Sequence, residues 1–134
     1  MTAPPTPTPK FVYKIYPNTK SFEIPIPYAS DFTFPQDKLD QSSGYFHMSS
    51  MKQLPGTLGF FFDSHESVQI LKIDYDKLSK AKIVKWELGD DGNAYPHLYA
   101  ILTGDFVVEV KVVNKGTSWS GTAATLVEEG WLEY

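Results

Sequence analysis

The chain has 134 residues, a formal charge of -4 and 42% hydrophobic residues, the size and composition of a single globular domain. It contains no cysteine, which excludes disulfides, thiolate nucleophiles and thiolate metal sites. It also contains no arginine, so all twelve basic residues are lysines, and the bidentate fork that usually grips phosphate is missing. Net acidity without guanidinium groups argues against tracking a nucleic-acid backbone. No apolar run approaches the roughly 18 residues of a membrane helix. The first residues lack the basic and apolar regions of a secretion signal, so the expected location is the cytoplasm.

Residues 1–9 alternate proline with threonine and alanine and are expected to be an extended, unpacked lead-in. Alternation of Phe11, Tyr13 and Ile15 predicts a first strand over residues 11–16. Pro17, Pro25, Pro27 and Pro35 oppose any long helix over residues 17–43, which read as a winding lid or wall anchored by Ile24, Ile26, Phe32, Phe34 and Leu39. Asp40 is expected to cap the turn before Gly44.

Residues 44–49 predict a strand with Phe46 and Met48 facing inward and Tyr45, His47 and Ser49 on the other side. Ser50-Met51-Lys52-Gln53 fits a capping box for a helix within residues 51–62, with Pro55 at either its fifth or its first regular position. Residues 68–75 and 83–88 read as strands separated by one helical turn at 76–80. In the second, Val84, Trp86 and Leu88 face one way, Lys85 and Glu87 the other. The five lysines from Lys72 to Lys85, interrupted by Asp74 and Asp76, read as a solvated surface. Gly89-Asp90-Asp91-Gly92-Asn93 is a turn cluster. Strands are expected at 95–99 and 106–113, then a polar stretch and a short helix over 122–129. The organisation is a lead-in, a domain over 10–113 and an extension over 114–134 that packs on it as a short helix. The class is α+β, dominated by strands.

Two of the three histidines, His47 and His97, lie at period two among phenols and hydroxyls: Tyr45 and Ser49 around the first, Tyr95 and Tyr99 around the second. Imidazole titrates near neutral pH and both donates and accepts protons, which suits acid/base catalysis. Equally, each ring is satisfied in many strands by a backbone carbonyl. Glu87 reads either as an exposed carboxylate or as a base whose pKa an apolar cleft raises. Tyr13 and Trp86 fit the core as well as a ligand wall. No His-x-Glu or His-x-x-x-His spacing supports a metal site, and no nucleophile elbow is present.

Tyr13-Lys14-Ile15, Asp40, the run Gly44 to Ser50, Gln53, Thr57, Phe60-Phe61, Asp74, Leu78, Trp86-Glu87 and Pro96-His97-Leu98-Tyr99 together resemble the family of domain of unknown function 952, over residues 11–113. The resemblance implies a compact ADP-ribosyltransferase-like fold, with two small twisted, mostly antiparallel sheets around a cleft and one or two short helices. In that fold a strand histidine beside a hydroxyl holds the ribose of NAD and a glutamate supports the departing nicotinamide. His47 with Ser49 or Ser50 is similar to the former and Glu87 to the latter. The chain departs from the pattern in lacking the arginines on which RNA 2'-phosphotransferase relatives depend.

Three functions follow as expectations. The first is a cofactor-independent enzyme of isomerase, cyclase or lyase type, with His47, His97 and Glu87 as the catalytic groups. Tyr13, Tyr45, Ser49, Ser50, Gln53, Tyr95 and Tyr99 would bind its small organic substrate. The second is an NAD- or nucleotide-consuming transferase. The third is a non-catalytic module that binds a small ligand, with Trp119 and Trp131 serving association. No metal, nucleic acid or membrane is expected, and the chain is read as a monomer or homodimer.

Overall fold

The computed structural model describes residues 2–134. In chain order they form β1 (Phe11–Pro17), α1 (Lys38–Ser43), β2 (Phe46–His47), α2 (Leu54–Phe61), β3 (Ser67–Asp74), α3 (Tyr75–Ala81), β4 (Val84–Leu88), β5 (Ala94–Leu98), β6 (Val107–Asn114) and α4 (Trp119–Glu128). The strands make two antiparallel three-stranded sheets, ordered β1-β3-β6 and β2-β5-β4. The chain is therefore α+β and rich in strand, with four α-helices where one or two were expected. Among the described residues no helix is long and apolar enough to cross a membrane.

Period-two alternation in β1 explains the layering. Val12 and Tyr16 point to one side and pack with Leu71 and Ile73 of β3 against Phe46, Trp86 and Leu98 of the second sheet. Tyr13 and Ile15 point to the other side and pack with Val68, Ile70 and Val113 against Leu54 and Leu58 of α2 and Trp119, Ala123 and Leu126 of α4. The first sheet is thus covered on both faces. The second packs one face on this core and carries Tyr45, His47, Lys85, Glu87, Tyr95, His97 and Tyr99 on the other, where His97 is buried beneath Tyr45.

Three expectations change. The lead-in is tethered at points, though Ala3, Pro4, Thr6, Pro7 and Thr8 stay exposed: Thr2 forms a β-bridge with Trp86, Pro9 is buried and the Tyr134 hydroxyl donates to the carbonyl of Pro7 at 2.8 Å. Met1 of that segment lies outside the described residues. The strand expected over 44–49 belongs to two sheets. Phe46 and His47 pair with β5 and the Met48 N–H still donates to the Pro96 carbonyl at 3.1 Å, whereas Ser49 exchanges backbone hydrogen bonds with Tyr13 of β1 at 2.7 and 2.9 Å. The chain crosses between sheets at Met48, so Ser49 leaves the histidine face. The last helix starts earlier than expected, at Trp119, because Ser118 caps it by accepting from the backbone N–H of Gly121 at 3.1 Å. Trp119 is a core residue at 2% exposure and is not available for association, while Trp131 is half-buried.

Candidate functional site

A short helix and a tight turn place the first histidine. Asp37 caps α1 by accepting from the backbone N–H of Asp40 at 2.8 Å, and the helix ends at Gly44, whose φ of 84° is left-handed. That conformation turns the chain directly into Tyr45 and β2 while α1 stays alongside. Asp40 therefore faces His47, and its Oδ1 accepts from both the backbone N–H (3.0 Å) and Nδ1 (2.8 Å) of that residue. Asp40 does not act as the turn cap expected of its side chain; only its backbone carbonyl accepts from Gly44. Its second oxygen lies 2.7 Å from the ammonium of Lys14, which also reaches Asp37 at 3.2 Å. Lys14 shares the inward side of β1 with Val12 and Tyr16, is 3% exposed, and lies over the rings of Tyr16 and Phe46. An ammonium so deeply buried is tolerable only when paired, and two carboxylates pair it.

Strand register brings in the second histidine. His97 of β5 stands directly opposite His47 on one side and Lys85 on the other. Directly opposed residues share a sheet face, so the imidazoles are neighbours with ring centroids 5.2 Å apart. Glu87, opposite Tyr95, is diagonal to His97, and its Oε1 accepts from His97 Nδ1 at 2.9 Å and from the Tyr99 hydroxyl at 2.6 Å. Tyr45 stacks on His97 with centroids 4.2 Å apart and planes at 21°, and it also touches His47 and Tyr99. That cover leaves the His97 side chain 8% exposed, against 28% for His47.

The electrostatics follow from these contacts. Burial pushes the Asp40 carboxyl up, but the His47 hydrogen bonds and the Lys14 charge outweigh it and hold the group below its ordinary range. The Tyr99 hydroxyl, then the His97 N–H, hold Glu87 low, so its pKa moves opposite to the rise a cleft base would show. Tyr99, bonded to that carboxylate, is pushed up to about 12. Burial pushes His97 down, which the Glu87 hydrogen bond partly offsets and the neighbouring His47 reinforces. Two ionised carboxylates accept only, so each facing Nδ1 must carry the proton. In the neutral rings Nε2 is then the free base.

The other predicted residues are divided between this face and the interior. Tyr95 lies on the same face, but its hydroxyl donates to Asp91 at 2.5 Å, and burial with that bond pushes it up to about 12. Gln53 accepts from the backbone N–H of Ser50 at 3.0 Å and donates to the carbonyl of Ala94 at 2.5 Å, fastening the start of α2 to β5. The Ser49 hydroxyl bonds Thr57 at 2.9 Å, and Ser50 is buried. Tyr13 is a fully buried core residue whose hydroxyl donates to the carbonyl and accepts from the N–H of Glu133. These four are structural neighbours of the site, not part of its surface. Lys14 and Asp37 went unread as site residues, although a lysine between Val12 and Tyr16 on an inward strand face was a visible signal.

A hollow of about 590 Å³ lies beyond the paired ends of β2 and β5. Tyr99 borders it, but the imidazoles do not, so the histidines meet side by side on a sheet face and not across a cavity. Among the described residues no three His, Cys, Asp or Glu side chains converge as a metal site would.

A family model described as "Protein of unknown function (DUF952)" matches residues 28–110. No curated protein matches the chain. The fold is similar to the crystal structure of protein CC0527 from Caulobacter crescentus, with a TM-score of 0.66 and 21% identity over 81% of this chain and 90% of that one. The solution NMR structure of CC0527 matches with a TM-score of 0.60 and 20% identity, over 81% and 88% of the two chains.

Proposed function

We propose that this chain, which belongs to the DUF952 family, is a cofactor-independent cytoplasmic enzyme that moves a proton on a small organic substrate. The observation that carries the reading is the pair of opposed imidazoles, each held at Nδ1 by its own carboxylate, on a sheet face left to its own side chains. His47, the more exposed ring, takes the proton through Nε2. The electron pair of the broken C–H bond passes into an adjoining carbonyl of the substrate. His97, beneath Tyr45, is the partner that relays or returns the proton, giving isomerase, cyclase or lyase chemistry. Glu87 orients His97 and does not itself abstract the proton.

The test is solvent-deuterium wash-in. Wild-type protein is incubated in D2O with a panel of small carbonyl compounds, and mass increase is followed. The reading expects exchange on at least one compound and its loss in His47→Gln. No exchange on any compound, or exchange that survives that substitution, overturns it.

The NAD-consuming reading draws on the family's ADP-ribosyltransferase likeness. Of the hydroxyls it would need beside His47, Ser49 is bonded to Thr57 and Ser50 is buried. Calorimetric titration with NAD, ADP-ribose and nicotinamide tests it, and heat from any of the three would favour it over the acid/base reading.

A further inference from the structure

We propose that the hollow beside Tyr99 binds the non-reacting part of the substrate and that this part is uncharged, an apolar group edged by a carbonyl or amide. This deepens the acid/base reading and rests on it for the identity of the reacting end.

The hollow and the histidines share a border. In β2 and β5 Phe46 pairs with Leu98 and His47 with His97; one step beyond that register lie Tyr45 and Tyr99, then Gly44 and Ala100. Gly44, Tyr99 and Ala100 line the hollow, and the Tyr45 ring lies between Tyr99 (5.1 Å between centroids) and His97 (4.2 Å). Between a group seated in the hollow and His97 stand the rings of Tyr99 and Tyr45. Its far wall comes from the winding segment after β1, through Phe34 and Gln36, and from Gln41 of α1. At about 590 Å³ it is within the usual range of small-ligand clefts.

Charge decides the ligand class. No ionisable side chain except the Tyr99 phenol lines the hollow, so a charged ligand there would lose hydration without gaining a counter-ion. An anion finds no cation in the lining: Asp40 and Glu87 are ionised, the Lys14 ammonium is taken by Asp37 and Asp40, and the Lys85 ammonium over the Tyr99 ring already acts on the Glu87 charge. A cation finds no carboxylate in the lining, and the Tyr99 ring already has the Lys85 ammonium 4.6 Å from its centroid. The carboxamides of Gln36 and Gln41 remain, and they complement neutral donors and acceptors.

Three matched probes test this: benzamide, benzoate and benzamidine share a ring and differ in charge. Each is titrated into the full chain while backbone amide resonances are recorded. Benzamide is expected to shift Gly44, Ala100 and Ile101 with millimolar affinity, and to bind roughly tenfold or more tightly than either charged probe. Equal binding of benzoate or benzamidine overturns the proposal, as does benzamide that shifts none of these residues. Repeating the titration on His47→Gln separates the two readings, because the hollow does not include that side chain. Benzamide binding retained in that variant, with no deuterium wash-in by the wild type, would remove the acid/base reading and leave the neutral hollow standing.

Discussion

Lys14 and His47 never touch, yet both are held by one carboxylate: Asp40 meets the ammonium at 2.7 Å through Oδ2 and the imidazole at 2.8 Å through Oδ1. The arrangement passes through the edge of the core, from a buried cation between the sheets to a half-buried ring on the outer face. It explains how a carboxylate with no solvent exposure stays ionised. It also couples the fold of β1 to the state of a surface histidine.

Asp40→Asn leaves the Lys14 charge with Asp37 alone. Breaking a buried pair from one side costs about 3–5 kcal/mol, and urea denaturation at neutral pH is expected to show a loss of that order. The sign of the pH effect is fixed by the lowered folded-state pKa of Asp40. Its contribution is fully present above the ordinary carboxyl value of 3.8 and is lost as pH falls through the folded value. The wild type is thus expected to lose stability steeply on acidification below that value, and Asp40→Asn to show a shallower decline.

His97 gives a prediction of the same sign in a higher pH window. Its folded pKa is lowered, so below the ordinary value of 6.5 the unfolded chain binds the proton more readily than the folded one. Its stabilising effect is whole above 6.5 and declines as pH falls from there to the folded value. Glu87→Gln removes the charge that favours the imidazolium, so the His97 midpoint in an NMR titration is expected to fall further. The same substitution is expected to bring the Tyr99 phenol down from about 12, visible in an ultraviolet titration.

Tyr45→Ala uncovers the ring that Tyr45 now stacks upon. Acylation of His97 by diethyl pyrocarbonate, mapped by peptide mass, is expected to quicken severalfold. An unchanged rate would mean that something other than Tyr45 shields it.

Much of the fold was legible because its signals are periodic. Alternation in residues 11–16 marks β1, the β-branched run over 68–75 marks β3, and alternation in 44–49 and 83–88 sets His47 and Glu87 on the face away from Phe46 and Trp86. What was not legible depends on contacts between distant segments. Nothing local shows that the chain changes sheets after His47, which removes Ser49 and Ser50 from the site. Lys14 between Val12 and Tyr16 was a visible anomaly, but its partners were not, since only the fold brings Asp37 and Asp40 to it.

Trp119 illustrates the same limit. The residues around it are polar and loose, yet the ring is buried between α4 and α2 and its indole N–H donates to the carbonyl of Phe62 at 2.7 Å. Trp119→Ala is expected to cost about 3–5 kcal/mol in chemical denaturation. Removal of residues 114–134 would expose the outer face of the first sheet, and loss of cooperative unfolding is the expected result.

Long-range proton–nitrogen correlation spectra of the two imidazoles test the paired-base account most directly. The account predicts that in the neutral form both rings carry the proton on Nδ1, facing Asp40 and Glu87, with Nε2 bare. A proton on Nε2 of either neutral ring would contradict it, because that ring would then have no lone pair to offer a substrate.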